Sequence, residues 1–302
     1  MSKLTLKNFG GILKITFKKW YKRDPFRESA VIAYNAIFSL PGLMVVIITL
    51  AGYFFGQEIV SGELHKQISG MMGPDTADQV KKMIVSANKG SESIWATILG
   101  VLTIIVGATG VFVQLQKSLN NIWEVKEATS KSGIFKFFST RLFSFGLILS
   151  IAFLLLVSLV LSSVLAALGN WISGNRSDAI LFVFKITNFV LSLVIITVLF
   201  ALMFKILPDV KIKWHLVWVG SFFTALFFVL GKSALGLYFG KAEPGSGYGA
   251  AGSVILILLW TSYSSMILFF GAEFTKAYSD HYYGEVSPSE NSLNKLSTNN
   301  HG

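Results

Sequence analysis

The sequence predicts an all-α polytopic integral membrane bundle of six transmembrane helices, preceded by an amphipathic helix at the membrane interface. Three observations predict it. The chain has 302 residues, 53% of them hydrophobic and only 14% charged, where a soluble domain carries roughly a quarter charged residues. Its apolar residues come in runs long enough to cross a hydrocarbon core, which takes roughly 20 residues per helix. Its Lys and Arg residues gather at the ends of those runs, the pattern of the positive-inside rule.

Residues 1–28 read as a basic amphipathic arm. At 100° per residue Phe9, Ile12, Leu13, Phe17 and Trp20 share one face of a helix over 3–22, and Lys7, Lys14, Lys18 and Lys22 share the other. Such a helix is expected in the headgroup layer with its lysines toward anionic lipid. Asp24-Pro25 then has the form of an N-cap followed by proline at the first helical position.

Residues 29–277 hold the six spans, expected at about 29–56, 94–115, 142–168, 179–207, 214–239 and 250–274. The first apolar run is too long for a signal-peptide core and has no cleavage pattern after it, so it reads as an anchor. A kink is expected near Pro41. Residues 57–93 are polar, contain a second amphipathic helix at about 75–88, and read as an external cap. Span five ends in a GxxxG pair, Gly236 and Gly240, suited to close helix contact. Gly247, Gly249 and Gly252 form a tight turn into span six. Residues 278–302 read as a disordered cytoplasmic tail.

Orientation follows from Lys and Arg alone. The arm, the 116–141 connector, the 205–213 linker and the tail carry 18 of them, and the three opposite loops carry six. Both termini are therefore expected in the cytoplasm, in a bacterial inner membrane. The expected partners are the bilayer and, at the arm, anionic headgroups. Nucleic acid is not expected, and the sequence leaves the oligomeric state open.

Several enzyme readings fail on context. Gly247, Gly249 and Gly252 spell GxGxxG with Glu273 about 20 residues later, but no strand precedes the glycines and a membrane-length segment follows them. Gly231-Lys232-Ser233 mimics the end of a Walker A motif, yet position 226 is Leu and the tripeptide lies inside a span. There is no cysteine, no HExxH, and no paired-carboxylate cluster. No catalytic residue, metal site or cofactor is expected.

The informative residues are polar groups at membrane depth, where an ion costs about 2.5–3.5 kcal/mol even on the lenient scale. Lys232 lies in the outer half of span five and Lys185 in the outer half of span four; each either faces a cavity or snorkels to the interface. Glu273 closes span six on the opposite side, with Arg27, Lys117, Arg141 and Lys276 as its expected neighbours. Asn35, Gln114 and Asn120 join Glu273 in a polar cytoplasmic vestibule. Lys232, Glu273, Asn35, Asn120 and Gln114 are the candidate substrate-binding residues. The hydroxyl patch at 261–265 reads as helix–helix adhesive.

Three stretches together, RESAVIAYNAIFSLPGL at 27–43, VFVQLQKSLNNIWEV at 111–125 and YGAAGSVILILLWTSYSSMILFFGAEF at 248–274, resemble the YihY/virulence factor BrkB family of bacterial inner-membrane proteins. The resemblance spans about 20–280 and implies a six-helix integral membrane fold. Some members of that family were once labelled ribonuclease BN, a label the residues here do not support. Two functions stay open: a transporter or flippase-like permease for an anionic or amphiphilic envelope molecule, and a non-transporting scaffold for envelope integrity or a partner complex.

Overall fold

The computed structural model describes residues 6–89, 110–125, 178–210, 212–242 and 244–284. All regular elements among them are helical. Helix α1 is Leu6–Lys22 and α2 is Pro25–Phe55. The cap consists of α3, Gln57–Met72, and α4, Pro74–Lys89. Residues 110–122 form α5. Three long helices complete the set: α6, Asp178–Ile206; α7, Trp214–Ala242; and α8, Gly252–Tyr283.

Among the described residues three helical stretches are long and apolar enough to cross a membrane, Phe189–Ile206, Trp214–Phe239 and Gly252–Tyr283. They fall where spans four, five and six are expected. Helix α2 covers the expected first span and runs unbroken through Pro41. The expected span over 142–168, and residues 94–109 of the span before it, lie outside the described residues.

The α1–α2 corner follows its sequence. Asp24 caps α2, its side chain accepting from the Arg27 amide at 3.4 Å, and Pro25 opens the helix. Asp24 takes a left-handed backbone, φ 52°, which makes the corner tight. The cap holds one helix more than expected. Gly56 at φ 90° and Gly73 at φ 91° separate α2 from α3 and α3 from α4, and side chains rarely tolerate that conformation. Met72 and Val80 then pack with Phe239 and Ile257 near the turn end of the α7–α8 hairpin.

The apolar face of α1 meets protein. Phe9 packs against Phe223 and edge-on against Phe274, Ile12 is 2% exposed, and the Trp20 indole donates to the Met266 carbonyl at 3.1 Å. Phe17, expected on that face, is 57% exposed instead. It sits at the edge of the buried arc, next to the lysine row.

Helices α7 and α8 run antiparallel and approach by a reciprocal pair of small-residue contacts. A Cβ on Gly220 would overlap Thr275, and a Cβ on Gly271 would overlap Thr224. Each threonine is fully buried and donates to a carbonyl one turn back on its own helix, Thr224 to Gly220 and Thr275 to Gly271, both at 2.7 Å. Further along, the Tyr263 hydroxyl occupies the space over Gly231.

The expected glycine contacts lie differently. A Cβ on Gly236 or Gly247 would meet nothing within 4 Å. Gly252 does make a close approach, to the Gly245 backbone at the hairpin turn. Gly240 lies in α7, and Gly249 in the 3-10 helix Ser246–Ala251 of that turn. Helix α8 continues nine residues past the expected end at 274 and through the boundary drawn at 277. Glu273 and Lys276, which read as the end of the span, are buried and paired with Arg23 and Glu124, so they do not mark the end of the helix.

Candidate functional site at the Glu273 end of the hairpin

The most demanding group in the molecule is Glu273, a carboxylate in α8 that is 1% exposed. Its partner is Arg23, held in the α1–α2 corner, whose Nε lies against Glu273 Oε1 as an ion pair. Among the described residues neither carboxylate oxygen receives an aligned hydrogen bond, so the guanidinium charge is what offsets burial there. The rest of the fork is spoken for. Nη1 donates to the Asn121 carbonyl at 2.7 Å and to Asn121 Oδ1 at 3.1 Å, and Nη2 reaches Glu124 Oε1 at 3.1 Å. One planar cation thus joins α1, α8 and the turn that ends α5, a geometry a lysine ammonium would not reproduce.

That turn is built for the purpose. Glu124 sits at φ 54°, and Glu124 N–H and Val125 N–H donate back to the Asn121 and Asn120 carbonyls. The reversal presents Glu124 to both Arg23 and Lys276, whose Nζ is 2.7 Å from Oε1. The Lys276 ammonium holds the Glu124 carboxyl below its usual range; partial burial opposes this, and the Lys276 and Arg23 charges reinforce it. Lys19 and Asp280 add an outer pair at 3.6 Å.

A second polar set lies beside the first. Glu28 Oε2 accepts from Gln114 Nε2 at 2.6 Å and from Ser118 Oγ at 2.7 Å, tying α2 to α5. Asn120 donates to Asp209 Oδ2 at 2.9 Å and accepts from the Asp209 amide at 2.8 Å, tying α5 to the α6–α7 linker. Asn35 donates to the Val31 carbonyl one turn back and packs over Gly110. Asn35, Gln114 and Asn120 are therefore ranged along α5, which Glu273 reaches only through Arg23, and each of the four vestibule residues is engaged with a different protein partner. Between the two sets Trp20, Arg23, Glu28, Ser118, Phe269 and Glu273 line a cavity of about 20 Å³, room for a single water.

Lys232 belongs elsewhere. With Gly220 facing Thr275 and Gly231 facing Tyr263, Lys232 stands level with Ser262. That puts it about 16 Å along the hairpin from Glu273, at ~1.5 Å per residue. It is half-buried and forms no ion pair among the described residues. The side chain of Lys185 lies outside the described residues.

Of the neighbours expected for Glu273, Lys276 joins the network through Glu124. Arg27 is 74% exposed and pairs with Asp24 at 3.9 Å and Glu28 at 3.6 Å. Arg141 lies outside the described residues. Sequence reasoning missed Arg23, Glu28, Glu124 and Asp209. The one available signal was Arg23 itself, the last residue before an Asp-Pro cap, where the chain must turn sharply against whatever α1 covers.

The family described as virulence factor BrkB matches residues 16–295, nearly the whole chain and all the network. The chain belongs to the BrkB family. Its relatives include a UPF0761 membrane protein of Saccharophagus degradans, 26% identical over 90% of this chain and 60% of that protein, so the chain spans less than two thirds of that relative. A UPF0761 membrane protein of Haemophilus influenzae is 26% identical over 89% of this chain and 94% of its own length. A protein of Bacillus subtilis named as ribonuclease-like, YfkH, is 22% identical over 86% of this chain and 92% of its own. No solved structure matches. This BrkB-family chain is a membrane protein, with an ion-pair network joining three of its segments at one end of the α7–α8 hairpin.

Proposed function

We propose that this protein is a six-span permease or flippase-like transporter of the bacterial inner membrane, moving an anionic or amphiphilic molecule of the envelope. On this reading α2 and the stretches 94–115 and 142–168 supply the three further crossings, and both termini are cytoplasmic. The observation that carries it is the fully buried Glu273, neutralised by a cation from another segment at one end of an apolar hairpin. Charge at that depth is costly and marks functional paths in membrane bundles. The Arg23–Glu273–Glu124–Lys276 network is the cytoplasmic closure, and Lys232, half-buried about 16 Å away and without an ion pair among the described residues, is the anion contact on the other side. Asn35, Gln114 and Asn120 then position α5 beside the closure.

The test is complementation of a deletion strain's envelope phenotype by Lys232→Ala and Glu273→Ala proteins checked for membrane insertion. Loss of function with normal insertion is expected; full complementation by both variants would sink the site assignment.

One observation favours the second reading, a scaffold that supports the envelope or a partner complex without transport. Each vestibule side chain is already engaged within the protein, and the cavity between them has room for only a single water. The chain lacks cysteine, so single cysteines placed along α2, α5, α7 and α8 decide between the two. Labelling by a membrane-impermeant thiol reagent along a continuous stripe supports transport, and protection throughout supports the scaffold. An enzymatic role is not part of either reading, and the nuclease-like name belongs to the Bacillus subtilis relative.

A further inference from the structure

We propose that the outward side of α1 is a docking surface for anionic phospholipid, with a lysine row for the phosphates and an aromatic flank for the acyl-chain boundary. Lys14, Lys18 and Lys22 are exposed, follow one another at four-residue spacing, and pair with no carboxylate among the described residues. Lys19, one step around the helix, is the lysine already engaged, with Asp280. The face opposite the row is sealed, Ile12 at 2% and Thr16 at 0% exposure. The row therefore faces away from the bundle.

Beside it lies a contiguous aromatic patch. Phe17, Tyr21 and Phe26 are 57%, 64% and 58% exposed. Phe17 stacks on Tyr21 with ring centroids 6.3 Å apart, and both Phe17 and Phe26 lean on Trp20. Trp20 in turn packs edge-on against Phe270 of α8 and donates to the Met266 carbonyl. The patch is thus rooted on a helix long and apolar enough to cross a membrane.

A solvated basic helix has no use for three adjacent exposed rings, and a lipid-buried one has no use for three exposed ammonium groups. The headgroup layer accommodates both, rings toward the acyl boundary and cations toward phosphate. Electrostatics selects anionic lipid over zwitterionic, since each lysine near such a surface is worth about a fivefold gain in binding. The inference does not depend on transport, because a scaffold would hold lipid the same way.

The experiment titrates the full-length chain in detergent with phosphatidylglycerol or phosphatidylcholine and counts retained lipid by native mass spectrometry. Wild-type protein is expected to prefer phosphatidylglycerol. The triple variant Lys14→Gln/Lys18→Gln/Lys22→Gln should lose that preference and retain the two lipids alike, with phosphatidylcholine retention unchanged. Phe17→Ser/Tyr21→Ser should weaken retention of both lipids. Lys81→Gln/Lys82→Gln, on the exposed side of α4, should change neither.

Three results would overturn the proposal. The triple variant could keep its preference, or the α4 variant could lose it equally, showing a diffuse charge effect. Alternatively, inorganic phosphate or an RNA oligonucleotide could displace phosphatidylglycerol completely, assigning the face to a free anion or to nucleic acid.

Discussion

At the scale of single residues, Arg23 and Glu273 depend on each other. A buried carboxylate left without its counter-charge costs about 3–5 kcal/mol. Arg23→Ala should therefore destabilise the protein by that order, read as a fall in thermal unfolding temperature in detergent. Removing both charges should cost clearly less than the sum of the single losses, because the second removal relieves the orphan created by the first. Additivity would show that the two do not interact. Glu124 behaves differently, since its side chain is 64% exposed and its pairs are screened, worth less than about 1 kcal/mol. Its folded-state pKa is depressed. The pairing therefore contributes fully above the unfolded value near 4.5 and is lost as pH falls through the folded value. Stability of wild type relative to Glu124→Gln should favour wild type at neutral pH and converge in acid. A difference that grew on acidification would contradict the sign.

At the scale of elements, the α7–α8 hairpin is set by which glycines face a neighbour. Gly220 and Gly271 each have a buried threonine in the space a Cβ would take, whereas Gly236 has open space. Gly271→Ala should force the helices apart and cost roughly 1–3 kcal/mol, the usual price of overpacking. Gly236→Ala should be neutral or stabilising by up to about 1 kcal/mol, since alanine is the better helix former. Unfolding of the two variants side by side checks this, and equal effects would mean the reciprocal contact does not set the spacing. The GxxxG spacing was visible in the chain and the Gly220–Thr224 and Gly271–Thr275 pairs were not singled out. Small residues recur at four-residue spacing on several faces of an apolar helix, and periodicity does not say which face a neighbour covers.

At the scale of the whole molecule, the proposed orientation makes a direct prediction. In the cysteine-free chain, Lys82→Cys in α4 should react with an impermeant thiol reagent added outside intact cells. Ser292→Cys should react only after the inner membrane is opened. The reverse pattern would invert the topology.

The sequence by itself determined the class: an apolar, charge-poor, helical membrane protein, the α1 helix, the Asp24-Pro25 corner, the α4 amphipathic helix and the positions of α2, α6, α7 and α8. These follow from composition and local periodicity, which each segment carries alone. Only the tertiary structure decided that the apolar face of α1 lies on α8 rather than on lipid. It also extended α8 to Tyr283 and paired Glu273 with Arg23, 250 positions away. A helix wheel shows that a face is apolar without naming what covers it, and a charge near a span end looks like a membrane boundary until its partner arrives from another segment.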